Sequence, residues 1–141
     1  MSKILIVFFL FLSFLQAASL VFESEHTFEL KKDEWARVFV TEKGTNEKDS
    51  FDFRWTLFDN TNIIVHTRYR NYPRQLVMSL RRGLKSYKQS LIPDYKMQPN
   101  DIAWLLLEFE NFNESKGIFK VYIKDEPRRL DVEFVDPPRK R

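Results

Sequence analysis

The sequence predicts a mainly β protein whose mature part is an antiparallel β-sandwich of about seven to nine strands. Along most of the chain, apolar and polar residues alternate, which is the pattern of strands with one buried face. Asn, Asp, Pro and Gly residues separate the alternating segments, as turns require. Aromatic residues make up 16% of the 141 residues and cysteine is absent, so apolar packing rather than disulfide bonds has to stabilise the domain.

The N-terminus has the order of residues that is typical of a secretory signal peptide. Lys3 precedes an apolar run over residues 4–15, and small residues follow at positions 17–19. The run is short for a membrane helix, which needs about 20 apolar residues. We therefore expect residues 1–17 to be a cleavable signal peptide, and residues 18–141 to form a single mainly β domain with a short basic C-terminal tail and no transmembrane segment.

The absence of cysteine also bears on the compartment. Small domains that are secreted into an oxidising environment usually contain disulfide bonds. An exported domain without cysteine is therefore more typical of a bacterial envelope than of a eukaryotic exterior. We expect the protein in the periplasm of a bacterium, or secreted from it.

Alternation predicts two strands and then a hairpin in the first half of the mature chain. Residues 20–30 and 35–40 each place apolar side chains on one face. Residues 51–57 and 63–69 alternate again on either side of the turn-forming Asp59. Matching the apolar faces of the two hairpin strands predicts one register. The predicted pairs are Phe58 with Asn62, Phe51 with Tyr69, Trp55 with Val65, Leu57 with Ile63, Asp52 with Arg68, and Arg54 with His66.

Residues 74–91 support two interpretations. Leucines recur at helical spacing with basic residues between them, which predicts one amphipathic helix. Leu76, Met78 and Leu80 also alternate, and Gly83 suits the left-handed position of a turn, which predicts a β-hairpin instead. The hairpin is favoured by its β-rich context and because a glycine inside a helix costs about 1 kcal/mol relative to alanine.

The C-terminal third predicts a three-stranded meander. Residues 102–110, 118–124 and 130–134 match on both apolar and charged faces when they are paired in sequence order. The predicted pairs are Phe109 with Phe119, Leu107 with Val121 and Glu108 with Lys120, followed by Leu130 with Ile123, Val132 with Val121, and Phe134 with Phe119, with Glu133 beside Lys120.

Charge is unevenly distributed along the chain. Residues 18–53 contain 5 Lys/Arg and 9 Asp/Glu, residues 54–96 contain 9 and 2, and residues 97–141 contain 8 and 9. The nearly neutral total therefore hides a basic middle segment with a net charge of +7, next to acidic N-terminal strands with a net charge of −4.

No pattern in the sequence indicates a catalytic residue, a cofactor or a metal site. Thiol nucleophiles are absent, and the 3 glycines are too few for a glycine-rich phosphate loop or a nucleophile elbow. His26 and His66 are far from the i, i+4 spacing of a helical zinc site. We expect His26 to be a hydrogen-bonded core residue, His66 to be solvated, and Glu108 and Glu110 to line the solvent side of a strand.

One segment has the composition of a binding surface. Between His66 and Arg74 cations alternate with tyrosines; arginine forks bind carboxylate or phosphate oxygens, and tyrosine adds apolar area with a polar tip. The expected partner is anionic: an acidic envelope protein, an anionic lipid or lipopolysaccharide surface, or the cell wall. Export argues against nucleic acid. The competing interpretation is a solvated strand face paired internally with Glu23, Glu25 and Glu29. The predicted binding residues are Arg54, His66, Arg68, Arg70, Tyr72 and Arg74.

These patterns together predict an exported periplasmic module that binds a ligand or another protein and has no enzymatic activity. Two alternatives stay open. One is a small periplasmic hydrolase or isomerase that uses carboxylates, and the other is an inhibitor or accessory subunit of an envelope complex. The patterns do not define an oligomeric state.

Overall fold

The computed structural model describes residues 22–81, 83–99 and 101–139, and these residues form an antiparallel β-sandwich, as predicted. The expected signal peptide at residues 1–17 lies outside the described residues. The described strands are β1 (Ser24–Lys31), β2 (Ala36–Glu42), β3 (Lys48–Phe58), β4 (Asn62–Tyr69), β5 (Tyr72–Ser79), β6 (Ser86–Ser90), β7 (Ala103–Asn113), β8 (Lys116–Asp125) and β9 (Leu130–Val135). A 3₁₀ turn, Asp94–Lys96, lies between β6 and β7. Within the described ranges, no helix is long and apolar enough to cross a membrane.

The strands form two sheets in which all neighbouring strands are antiparallel. One sheet has four strands in the order β1-β8-β7-β6, and the other has five in the order β5-β4-β3-β2-β9. Side chains of one parity in each strand point between the sheets and form the core. Phe53 packs edge-on against Phe28 at 5.4 Å and against Phe119 at 5.5 Å between ring centres. Aromatic pairs across the two sheets therefore account for much of the core.

The β3–β4 hairpin keeps the predicted register up to a bulge at Thr56. The pairs before the bulge are as predicted: Phe51 with Tyr69, Asp52 with Arg68, Arg54 with His66, and Trp55 with Val65. Beyond the bulge the pairing is shifted by one residue, so the predicted pairs there are wrong: Leu57 opposes Ile64 and Phe58 opposes Ile63. The extra residue leaves Leu57 exposed and lets Phe58 pack against the core.

The predicted C-terminal meander is confirmed for one of its two strand pairs. The β7–β8 pair is confirmed, with Phe109 opposite Phe119, Leu107 opposite Val121, and Glu108 opposite Lys120. The predicted β8–β9 pair is wrong, because β9 lies beside β2 in the other sheet and β1 lies beside β8. Besides Glu108, the acid next to Lys120 is therefore Glu25, at 3.6 Å, rather than Glu133. Both β1 and β9 have an alternating apolar face, so face matching alone did not distinguish them.

The turn after β8 explains how the chain leaves the four-stranded sheet. Asp125 is buried, and its carboxylate accepts the backbone N–H of Arg129 at 3.2 Å and that of Leu130 at 3.0 Å. These bonds hold a compact turn in which the chain crosses to the five-stranded sheet instead of folding back on β8. In its new sheet β9 places Val132 opposite Val40 of β2.

Residues 74–91 form neither the amphipathic helix nor the hairpin that the sequence predicted. They contain two strands, but β5 pairs with β4 and β6 pairs with β7, so the chain crosses between the sheets. Gly83 does have the expected left-handed conformation, with a φ of 85°. The N–H of Ser79 donates to the carbonyl of Leu84 at 2.9 Å and closes the turn. As a result, β5 and β6 are edge strands of different sheets.

Candidate functional site

The structure divides the six predicted binding residues between two neighbouring places. Arg54 on β3 shares the outer face of the five-stranded sheet with His66 and Arg68 on β4. Arg70 occupies the β4–β5 turn, and Tyr72 and Arg74 lie on the edge strand β5. Arg74 lines both a depression on the outer face and a second depression at the end of the sandwich. It therefore borders both groups.

The outer-face depression brings an indole ring together with two guanidinium groups. It has a volume of about 350 Å³, and Trp35, Arg54, His66 and Arg68 contribute to its lining. Trp35 is 42% exposed, and the guanidinium carbons of Arg54 and Arg68 lie 4.9 and 5.7 Å from its ring centre. Both distances permit cation–π attraction, which extends to about 6 Å. This arrangement presents apolar area and positive charge side by side.

Asp52 holds two arginines on the same face. Its Oδ1 accepts from Nε of Arg37 at 2.7 Å and its Oδ2 from an Nη of Arg68 at 2.7 Å, and the residue is only 1% exposed. Burial is the largest single influence on the pKa of Asp52 and raises it, but the hydrogen bonds and charges of the two arginines together outweigh burial. The pKa of Asp52 therefore lies below its ordinary value, and Arg68 already has an internal partner.

Arg54 is held more loosely. The nearest carboxylate oxygen, on Asp33, lies 3.8 Å from its Nη1, and its buried Nε has no hydrogen-bond partner among the described residues. His66 opposes Arg54, as predicted, and its Nε2 lies 3.1 Å from the hydroxyl of Thr56. His66 is half-buried, in contrast to the solvated histidine that the sequence predicted. The ion pair between Arg54 and Asp33 is therefore long, and the positive charge of Arg54 is only weakly compensated from within the protein.

Arg70, another predicted binding residue, does not share the outer face with Arg68. It lies in a turn with a φ of 49°, where its Nε donates to Asp49 at 2.7 Å. One of its Nη groups and the hydroxyl of Tyr69 both donate to the carbonyl of Leu91, at 3.3 and 2.8 Å. Burial raises the pKa of Tyr69 to about 12, so this hydroxyl keeps its proton and continues to donate.

The second depression lies between the edge strands of the two sheets. It has a volume of about 520 Å³, with Arg70, Tyr72 and Arg74 contributing to one side and Gln89 and Ser90 of β6 to the other. Tyr72 is 76% exposed. Arg74 is exposed and forms no ion pair in the part of the chain that the structure describes. Of the predicted arginines, Arg74 is therefore the one without an internal counter-charge.

The internal pairing expected from the sequence occurs through different acids. The acidic side chains of the β1 segment pair with lysines of β8: Glu23 with Lys124 at 3.8 Å, Glu25 with Lys120 at 3.6 Å, and Glu29 with Lys116 at 3.2 Å. The arginines of the basic middle segment pair instead with Asp33, Asp49 and Asp52. All three aspartates belong to the acidic N-terminal segment, so the pairing of acidic and basic segments is correct although the residues differ.

Two members of the outer face, Trp35 and Arg37, were not among the predicted binding residues. A signal for them was present in the sequence, because they have the opposite parity to the buried Ala36 and Val38 and hence point away from the core. Their proximity to Arg54 depends on the pairing of β2 with β3, which the sequence pattern did not predict.

His26 lies at the rim of the core rather than within it. Its side chain is 31% exposed, stacks on the ring of Phe134 at 5.1 Å and lies 3.1 Å from a carboxylate oxygen of Asp136. The hydrogen bond agrees with the prediction, but the burial is only partial. Across the described ranges, no three His, Cys, Asp or Glu side chains are grouped so that they could hold a metal ion.

Comparison of the chain with protein-family models, with curated proteins and with solved structures gives no match.

Proposed function

We propose that the protein is an exported, non-enzymatic binding module of the bacterial envelope, which binds an acidic partner protein. The partner would contact the basic aromatic surface, defined as Trp35, Arg54, His66, Tyr72 and Arg74. The observation that carries this proposal is the exposed Arg74, a residue that borders both depressions and whose guanidinium group has no ion-pair partner among the described residues. Such a group binds a carboxylate through two parallel hydrogen bonds. Aromatic rings next to arginine are also typical of protein interfaces.

Export is supported by the N-terminal sequence alone. A positive residue, an apolar run and small residues follow one another in the order of a signal peptide. A domain that is stabilised by an aromatic core needs no disulfide bond in the periplasm. We therefore place the acidic partner in the envelope or outside the cell.

An acidic protein is favoured over an anionic lipid surface because few of the cations are free. Internal acids lie close to three of the predicted arginines, namely Arg54, Arg68 and Arg70. A membrane attracts a protein through the number of uncompensated cations, each worth about 1 kcal/mol near the surface. A protein partner can instead match one carboxylate to Arg74 and use the neighbouring rings, which requires geometry rather than a large net charge.

Crosslinking in the envelope of the native host tests this proposal. We expect one stoichiometric protein partner. Arg74→Gln is expected to weaken the complex about tenfold, or roughly 1.4 kcal/mol, and to flatten its salt dependence. Lys120→Gln is the matched control, since it removes one positive charge from β8 in the other sheet and is expected to leave the affinity unchanged.

Three results would contradict the proposal. Equal weakening by the two variants would indicate an effect of net charge alone. Binding to vesicles that contain phosphatidylglycerol, with the same sensitivity to Arg74→Gln, would indicate a lipid partner. The absence of a protein partner, together with turnover in an activity screen, would favour the hydrolase or isomerase.

A further inference from the structure

Among the described residues, no strand pairs with the outer edge of β5 in the five-stranded sheet. The N–H of Leu80 donates to the carbonyl of Thr61 at 3.1 Å and continues the β4–β5 ladder. Because alternate residues of an antiparallel strand direct their backbone groups to the same side, the even-numbered residues of β5 face β4. Gln75 and Val77 therefore direct their N–H and C=O groups away from the sheet. Ser79 agrees with this parity, because its N–H donates away from β4 to the turn that follows.

The second half of β5 lacks the features that usually protect an edge strand. Such protection comes from charges, prolines, bulges or short length. Pro73 and Arg74 protect the first half, but residues 75–79 contain no charge, and Val77 is 60% exposed. The edge strands β6 and β9 have only 5 and 6 residues, and β1 contains two glutamates. Of the described edges, β5 is thus the one best suited to accept another strand.

The depression at the end of the sandwich provides room beside this edge. It lies between the first half of β5 and the end of β6, and Tyr72 and Arg74 line it. Side chains of a strand added to β5 would alternate between its two faces. Those on the sandwich side would enter this depression, where Arg70 and Arg74 could pair with acidic groups, although Asp94 also contributes to the lining.

The charges of the residues near β5 indicate which kind of strand could pair with it. Residues 72–90 contain no Asp or Glu, whereas they contain five cations: Arg74, Arg81, Arg82, Lys85 and Lys88. Arg74 is the only charged residue of β5, so pairing of β5 with the same strand of a second copy would add cations and no acid to this edge. A segment that contains acidic residues would instead place opposite charges next to each other.

We infer that an extended acidic segment of the partner protein adds to the five-stranded sheet as a further strand beside β5. Its backbone hydrogen-bonds to Gln75 and Val77, and one of its carboxylates lies next to Arg74. The inference rests on the proposed function and specifies how the partner is bound. In strand addition, main-chain hydrogen bonds provide affinity, and side chains at alternate positions provide selectivity.

Amide hydrogen exchange, followed by NMR, tests the pairing directly. The probe is a synthetic peptide of about ten residues that alternates Glu with Thr and Val. With this peptide present, exchange at the amides of Gln75 and Val77 is expected to slow at least about tenfold. The amides of Leu76 and Met78 face β4 already and should change little. A peptide with Lys in place of Glu is the control and is expected not to bind.

A substitution at the edge gives an independent test. Val77→Pro removes an N–H that points away from the sheet, and an edge strand tolerates proline at such a position. We expect it to weaken peptide binding at least about tenfold while the melting temperature stays close to that of the parent protein. Val77→Thr retains the N–H and the strand preference and should bind normally. If Val77→Pro fails to fold, the exchange measurement decides alone.

The outcomes separate this inference from the proposed function. Unchanged exchange at Gln75 and Val77, or binding that is insensitive to Val77→Pro in a folded variant, would overturn strand addition. Capture of an envelope partner that still depends on Arg74 would then leave the proposed function standing. Concentration-dependent dimers that Val77→Pro abolishes would identify a second copy as the occupant, and this result too would overturn the inference.

Discussion

Among single residues, Asp52 has the largest influence on the outer face of the five-stranded sheet. It lies opposite Arg37 of β2 and Arg68 of β4, so one carboxylate connects three strands. The carboxylate is buried while the two arginines are about half-exposed. A buried charge that loses its partners is strongly destabilising, so the three side chains depend on one another.

We expect Asp52→Asn to lower the free energy of unfolding at neutral pH by about 1–3 kcal/mol, because the charged acceptor for two guanidinium groups is lost. Since the pKa of Asp52 is below its ordinary value, its stabilising effect is complete above the pKa of the unfolded chain and is lost as pH falls through the folded-state pKa. Urea denaturation at neutral pH and at a series of acidic pH values measures both effects. In Asp52→Asn this part of the acid dependence should be absent.

Asp131→Asn is the matched control for this prediction. The Asp131 side chain is 71% exposed, and its carboxylate lies 3.6 Å from Nζ of Lys43. Exposed ion pairs contribute little, so we expect a change of less than about 0.5 kcal/mol. Equal losses in the two variants, or an unchanged acid dependence in Asp52→Asn, would contradict the role assigned to Asp52.

Among the strands, β8 shows how charge and turn chemistry select a neighbour. Both β1 and β9 have an alternating apolar face that fits β8. The β1 segment also offers three glutamates that form ion pairs with the three lysines of β8. The turn held by Asp125 meanwhile carries the chain away to the other sheet. The strand that is distant in sequence therefore pairs with β8, and the adjacent strand does not.

The confirmed β7–β8 register predicts energetic coupling between Phe109 and Phe119. Their ring centres are 5.4 Å apart and both side chains are fully buried. In a cycle of Phe109→Leu, Phe119→Leu and the double variant, we expect the free energies of unfolding to deviate from additivity by about 0.5 kcal/mol or more. Urea denaturation of the four proteins provides the measurement.

Phe109 and Phe134 form the control pair for this cycle. Phe134 packs on His26 and Phe28 of β1, which is separated from β7 by β8. Their Leu variants should be additive within about 0.5 kcal/mol. Additivity of Phe109 with Phe119, or strong coupling of Phe109 with Phe134, would show that the register is wrong.

In the molecule as a whole, folding removes much of the charge asymmetry that the sequence shows. The acidic N-terminal segment provides aspartates for the basic middle segment, and glutamates of β1 pair with lysines of β8. The basic segment is therefore less available than its net charge suggests. Arg74, next to the open edge of β5, is an exception because it forms no ion pair among the described residues. The proposed binding is therefore expected at this edge of the sandwich.

Export is a property of the whole chain and remains a prediction. Intact-mass measurement of the protein from its native host is expected to show the loss of about 17 N-terminal residues. Leu10→Arg is the control, because a charge in the apolar run should prevent recognition and leave the chain at full length. A full-length mass for the unchanged protein in a membrane fraction would contradict the prediction.

Outside residues 74–91, for which a helix and a hairpin both stayed open, the sequence by itself determined which residues form strands and which face of each strand is buried, because alternation is a local property of the extended chain. It also determined the registers of β3–β4 up to Thr56 and of β7–β8, since a short turn leaves few alternatives between adjacent strands. Only the tertiary structure decided that β9 joins β2, that β5 and β6 separate into different sheets, and that a bulge shifts the end of β3. These choices depend on contacts between segments far apart in sequence.

For the candidate site, the sequence by itself determined the residue types and their concentration in one segment. The tertiary structure decided which of the arginines are free. Arg68 and Arg70 pair with Asp52 and Asp49, whereas Arg74 on the edge strand forms no ion pair with a described acid. The physical reason is that the local sequence pattern determines to which face of the sheet a side chain points. Which acid lies next to that side chain depends on the neighbouring strand, and the packing of the whole core determines which strand that is.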